Sequence, residues 1–123
     1  MPLRCLIVDD NASFRAAAAT LLERQGLTVV GLASNAAEAL RGARELRPDA
    51  VLVDIILGVE SGFDLARALA GGGDGPAVIL ISTHAEADFA ALIEETPAAG
   101  FVPKSELSAG EIERLIRLSF RGR

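Results

Sequence analysis

The chain has 123 residues, half of them hydrophobic and only 4% aromatic, with a formal charge of −5. That length builds one core, so a single domain over 1–123 is expected, and the apolar composition excludes disorder. The net negative charge excludes a general electrostatic footprint for nucleic acid or an anionic membrane. Cys5 has no partner for an intramolecular disulfide, and no basic stretch followed by a long apolar run marks a signal peptide or membrane span, so a cytoplasmic location is expected.

The first element is Leu3 to Val8, apolar apart from Arg4 and short enough for a strand buried on both faces; it ends at Asp9-Asp10. Phe14, Ala17, Ala18, Leu21 and Leu22 then recur at helical spacing up to Gly26, a helix-ending residue. Thr28 to Ala33 predicts a second strand, and Asn35 with Glu38 has capping-box spacing for a second helix closed by Pro48. Ala50 to Val53 is a third apolar run ending at Asp54. Ser61 and Asp64 open a third helix, presenting Leu65, Ala66 and Leu69, that ends in Gly71 to Gly75. Ala77 to Ile81 predicts a fourth strand ending at Ser82-Thr83, followed by a weakly patterned helix around Phe89, Leu92 and Ile93. Ala99 to Val102 predicts a fifth strand ending at Pro103-Lys104. Ser108 and Glu111 cap a last helix with Ile112, Leu115 and Ile116 on one face.

Five strands alternating with five helices imply parallel strands joined by right-handed crossovers, an α/β doubly wound sandwich. Functional groups in such sheets gather at the carboxyl ends of the strands. Here those ends carry Asp9 and Asp10, Asp54, Ser82 and Lys104. Three carboxylates on one rim repel one another, and a hard divalent cation such as Mg²⁺ relieves that repulsion. Such a cation, a lysine and a hydroxyl together suit phosphoryl transfer, with Asp54 on the central strand as the nucleophile.

Val8-Asp9-Asp10, Asp54 eight residues before Gly62, Ser82-Thr83 after an apolar strand, and Phe101-Val102-Pro103-Lys104 together resemble a response-regulator receiver domain of two-component signalling, over essentially the whole chain. The resemblance implies a flavodoxin-like fold with strand order 2-1-3-4-5. It also implies transfer of a phosphoryl group to Asp54 from a sensor histidine kinase or phosphotransfer protein. By the same resemblance Asp10 binds Mg²⁺ directly, Asp9 acts mainly through water, and the backbone carbonyl of Ile56 completes the protein ligands beside Asp54. Ser82 would swing to the phosphoryl group, Phe101 would turn inward, and the face made by helix 4, strand 5 and helix 5 would signal to a downstream protein or a second copy of the chain.

Three departures stand out: Gly58 and Ser105 occupy places where receivers often have proline, and Pro103 before Lys104 is unusual. Gly58 is expected to loosen the loop after strand 3. Ile56 and His84 lie where receivers vary residues that tune acyl-phosphate lifetime, and the apolar Ile56 is expected to exclude the attacking water.

The plainer readings are these. An acidic pair at a strand end is more often a cap, a lone lysine more often a solvated charge, and Phe101 alone would be core filler; the shared rim is what raises Asp9, Asp10, Ser82 and Lys104 above them. His84 has no companions for a metal site. Gly71-Gly72-Gly73 lacks the Lys-Ser/Thr of a phosphate loop. Arg114, Arg117, Arg121 and Arg123 are read as favourable charges at a helix C-terminus, and Cys5 as a small buried hydrophobe. Rival functions are an aspartyl-phosphate phosphatase, which lacks the second acid at Ile56, and a receiver cut from a longer DNA-binding regulator. A flavodoxin-like cofactor binder fits less, because Asp9-Asp10 would repel a phosphate. No turnover activity beyond the chain's own phosphorylation and dephosphorylation is expected.

Overall fold

The computed structural model describes residues 3–71, 75–83 and 86–121. Five parallel strands form one sheet: β1 (Arg4–Val8), β2 (Thr28–Ala33), β3 (Ala50–Asp54), β4 (Ala77–Ser82) and β5 (Gly100–Pro103). Their order, β2-β1-β3-β4-β5, is the one expected. The helices are α1 (Ala12–Arg24), α2 (Ala36–Leu46), α3 (Gly62–Ala70), α4 (Ala90–Glu95) and α5 (Ala109–Arg121).

Side chains alternate across a strand, so the sheet divides the interior into two cores. Cys5, Ile7, Leu52, Ile79, Ile81 and Val102 pack with Leu22 of α1 and Ile112 and Ile116 of α5. Leu6, Val8, Val51, Val53, Leu80 and Phe101 pack on the other face with Ala39 of α2 and Leu65 and Leu69 of α3. Because β1, β3 and β4 face a core on both sides, they read as apolar runs broken only at their ends, by Arg4, Asp54 and Ser82.

Four helices start on side-chain caps that satisfy otherwise orphaned N–H groups. The side-chain oxygens of Asn11, Asn35, Ser61 and Ser108 accept from the backbone N–H of Phe14 (3.0 Å), Glu38 (2.9 Å), Asp64 (3.4 Å) and Glu111 (3.1 Å). At the α2 start, the Glu38 carboxylate accepts from the N–H and hydroxyl of Ser34 rather than from Asn35. At its end, Arg47 lies in the left-handed region (φ 47°) immediately before Pro48, a strained place for a side-chain-bearing residue. The Arg4 guanidinium holds it there by donating to the carbonyls of Leu46 (2.7 Å) and Arg47 (2.9 Å).

Several local expectations are corrected. On α1 only Ala18 and Leu22 of the apolar stripe are fully buried, while Ala17 and Leu21 face solvent. Gly58 has a specific place in its loop. It turns a hairpin between Ile56–Leu57 and Glu60–Ser61, and its φ of +59° at the first turn position is that of a type II′ turn, closed to proline. Arg114 pairs with Glu111 inside α5 and is not a C-terminal charge. The weak pattern of helix 4 reflects a short element that buries no residue, entered through a 3₁₀ turn at Glu86–Phe89. Pro103 extends β5 by one residue, which an edge strand tolerates. The expectations for Gly72, Gly73, His84 and Arg123 lie outside the described residues.

Gly62, where α3 begins, is set against the strand that carries Asp54. An added Cβ would lie 2.1 Å from the Asp54 carbonyl oxygen and 2.7 Å from the Ile55 Cα, whereas at Gly110 it would meet nothing within 4 Å. Urea unfolding is therefore expected to show Gly62→Ala destabilised by about 1–3 kcal/mol, and Gly110→Ala stabilised by about 0.5–1 kcal/mol. Cys5 is fully buried, and burial pushes its thiol pKa up to about 12, with Asp49 and Glu113 adding in the same sense. A thiol so protonated and enclosed is expected to resist a colorimetric disulfide reagent in native buffer and to react promptly once the chain is unfolded in urea.

Candidate functional site

The carboxyl ends of β1, β3, β4 and β5 bring together the residues singled out from the sequence. Asp9 follows β1 and is fully buried, Asp54 ends β3 at 7% exposure, and Ser82 ends β4 at 1%. Asp10 is exposed at the mouth, because consecutive residues leaving a strand turn to opposite sides. Carboxylate oxygens of Asp9, Asp10 and Asp54 all lie within 4.8 Å of one another.

Local backbone donors fix two of these groups. One oxygen of Asp9 accepts from the Asn11 N–H at 2.9 Å, and one oxygen of Asp54 accepts from the Ile56 N–H at 3.1 Å. Lys104 arrives from the turn after β5. Its ammonium donates to the other Asp54 oxygen at 3.1 Å and sits 2.5 Å from Asp9 Oδ2. That Asp9 contact is close in distance but not aligned as a hydrogen bond, so Asp9 Oδ2 is a buried carboxylate oxygen with no directed donor. On its remaining open side the ammonium lies over the Phe14 ring, 4.2 Å from the centroid.

Burial raises the Asp54 pKa above the ordinary carboxylate value, outweighing the Ile56 N–H and Lys104, which act to lower it; Asp9 adds to the rise. For Lys104, burial disfavours the charged form, but the contacts and charges of Asp9 and Asp54 prevail and hold the ammonium above its usual range. The result is a desolvated, basic carboxylate beside a firmly protonated amine.

A divalent cation fits this donor set. Three carboxylates, one with an undirected buried oxygen, face a single mouth, and Lys104 contacts two of them but forms no ion pair with Asp10 among the described residues. Oxygen-only ligands of this kind suit Mg²⁺.

Phe101 is buried at 8% exposure within the core under α3, so its ring is already inward. The Ile56 side chain is 48% exposed at the rim, and the hairpin tip beyond it carries a fully exposed Val59. Two participants escaped the sequence reading. Phe14 was legible only as a helix-face apolar residue, and Arg15, whose guanidinium donates to the Asp9 carbonyl at 2.6 Å, had no distinguishing signal.

Comparison with known proteins places the chain in a family. Residues 5–117 match the family model described as the response regulator receiver domain. The response regulator GacA of Pseudomonas viridiflava is 33% identical over 121 residues, covering 98% of this chain and 56% of that protein. The crystal structure of a LuxR-family two-component response regulator from Aurantimonas sp. SI85-9A1 superposes with a TM-score of 0.82 at 31% identity, over 100% of this chain and 88% of that one. A response regulator protein from Burkholderia pseudomallei, solved with a phosphorylated aspartic acid, a calcium ion and citrate, gives 0.78 at 26% identity, over 93% and 66%. The chain spans about half the length, or less, of the curated relatives it matches. With a matching fold, strand order and family model, the chain belongs to the receiver domains of two-component response regulators.

Proposed function

We propose that Asp54 accepts a phosphoryl group from the phosphohistidine of a sensor histidine kinase or phosphotransfer protein, in the cytoplasm, and that the domain signals through the resulting change of shape. The observation that carries this reading is the environment of Asp54. It is a desolvated carboxylate at the end of the central strand, hydrogen-bonded to Lys104 and flanked by two further carboxylates. The phosphorylated aspartic acid and calcium ion of the Burkholderia pseudomallei relative support it.

In this mechanism an Asp54 carboxylate oxygen attacks phosphorus, a P–O bond forms, and the P–N bond to the donor imidazole breaks. Burial keeps Asp54 poorly hydrated and therefore nucleophilic. Lys104 is the charge that moves from carboxylate to phosphoryl oxygen as negative charge shifts outward. Asp10 and Asp9 would hold Mg²⁺ with Asp54 and the Ile56 carbonyl. When bound, Mg²⁺ supplies neutralising charge to the phosphoryl oxygens.

Phosphorylation adds about −1.5 to −2 charges and three strong acceptors next to Ser82 and Lys104. Ser82 and Lys104 would re-aim toward them, and the segment from β4 to β5 would follow. That segment contains α4, which buries no residue and so is weakly anchored. The face of α4, β5 and α5 is therefore the proposed output surface, toward a downstream protein or a second copy of the chain. Direct contact with nucleic acid is not part of this reading, given the charge of −5. No described helix is long and apolar enough to cross a membrane. Ile56 offers no second acid for turnover, which favours a stoichiometric switch over a phosphatase.

Intact-mass measurement after incubation with Mg²⁺ and acetyl phosphate is expected to show one phosphoryl adduct on the wild type and none on Asp54→Asn; an adduct persisting on that variant would sink the assignment. In the same assay, Asp10→Asn is expected to raise the Mg²⁺ concentration for half-maximal labelling on the order of tenfold or more. An unchanged Mg²⁺ requirement would remove Asp10 from the metal site.

A further inference from the structure

Lys104 has four rotatable side-chain bonds and one charge that must be in the right place, and among the described residues it pairs with two anions. Asp54 Oδ2 accepts from it at 3.1 Å, and Asp9 Oδ2 lies 2.5 Å away without alignment. A third contact comes from the first turn of α1, where the Phe14 ring places its centroid 4.2 Å from Nζ. The face of an aromatic ring is the negative end of its quadrupole, and it attracts a partly desolvated cation more strongly than an exposed one. The Lys104 side chain is only 14% exposed.

We propose that Phe14 is a positioning residue for phosphoryl transfer: its ring face holds the Lys104 ammonium over the Asp9–Asp54 carboxylates. The ring does not touch the reacting atoms and acts only through Lys104. The placement of Phe14 is itself determined, since its backbone N–H is the one that Asn11 caps at 3.0 Å, immediately beyond the acidic pair. Cap, ring and ammonium thus form a chain from the loop after β1 to the turn after β5. An aliphatic residue would fill the same space against the α1–α5 core but would offer the ammonium no directed attraction.

This inference rests on the reading of Asp54 and Lys104 given above, and the test separates the two. Initial rates of phosphorylation by acetyl phosphate at saturating Mg²⁺ would be measured for wild type, Phe14→Tyr, Phe14→Leu and protein with 3,4,5-trifluorophenylalanine at position 14, each with its thermal midpoint. The fluorinated ring keeps nearly the same shape while losing most of its quadrupole, so packing and electrostatics are decoupled. The expected result is a rate within about twofold of wild type for the tyrosine variant, and a loss of about three- to tenfold for both the leucine and fluorinated proteins. The fluorinated protein should lose rate at an unchanged thermal midpoint. A fluorinated protein that reacts within twofold of wild type overturns the role of Phe14, whatever the leucine variant does. Asp54→Asn, run alongside, is expected to take up no phosphoryl group; labelling of it would overturn the underlying reading of the site instead.

Discussion

The contact on which the site depends is the ammonium of Lys104 set between two buried carboxylates. Carboxylate oxygens within 4.8 Å of each other repel, most strongly between the two buried ones, Asp9 and Asp54. Left alone, that repulsion would add to the burial that already raises the Asp54 carboxyl above its ordinary value, or would turn a side chain outward. Lys104 answers both, at 2.5 and 3.1 Å, and the N–H groups of Asn11 and Ile56 occupy an oxygen on each. Buried ion pairs seldom add net stability, because desolvation offsets the Coulomb gain. The arrangement therefore persists because the sheet holds it, and its value is chemical: a basic carboxylate and a fixed positive charge meet at one mouth.

The sheet can impose this geometry because its cohesion lies elsewhere. Two separate apolar cores clamp β1, β3 and β4 from both faces, and helix caps at Asn11, Asn35, Ser61 and Ser108 fix where α1, α2, α3 and α5 begin. The charged residues sit just past the last clamped positions, where the backbone is rigid and water can still reach the mouth through Asp10. The parts less tightly held are short: α4 has no buried side chain, and the hairpin around Gly58 consists of two residue pairs.

What was legible in the sequence follows from the same division. Strands buried on both faces announce themselves as apolar runs, and Asn35, Ser61 and Ser108 announce helix starts. The polar residues at the rim are conspicuous because they interrupt those runs. The hairpin at Ile56–Leu57 and Glu60–Ser61 was invisible, since two-residue strands carry no period. The left-handed Arg47 was equally hidden, because a guanidinium 43 residues away in sequence stabilises it. Of the adjacent pair Asp9 and Asp10, one is fully buried and the other exposed, a distinction set by the direction in which the chain leaves β1. Phe14 could be read only as a core residue, because its polar partner lies on the opposite end of the fold's chain order.

The lack of clearance at Gly62 has a mechanical consequence. The start of α3 is wedged against the carbonyl of Asp54 and the Cα of Ile55 so closely that not even a methyl group fits. The backbone under Asp54 thus has no room to spare on the α3 side. On the opposite side of β3 lie β4, which ends at Ser82, then α4, which buries no residue, and β5. On the proposed reading of Asp54 as the phosphoryl acceptor, close packing on one side and sparse packing on the other would give a local chemical change a direction.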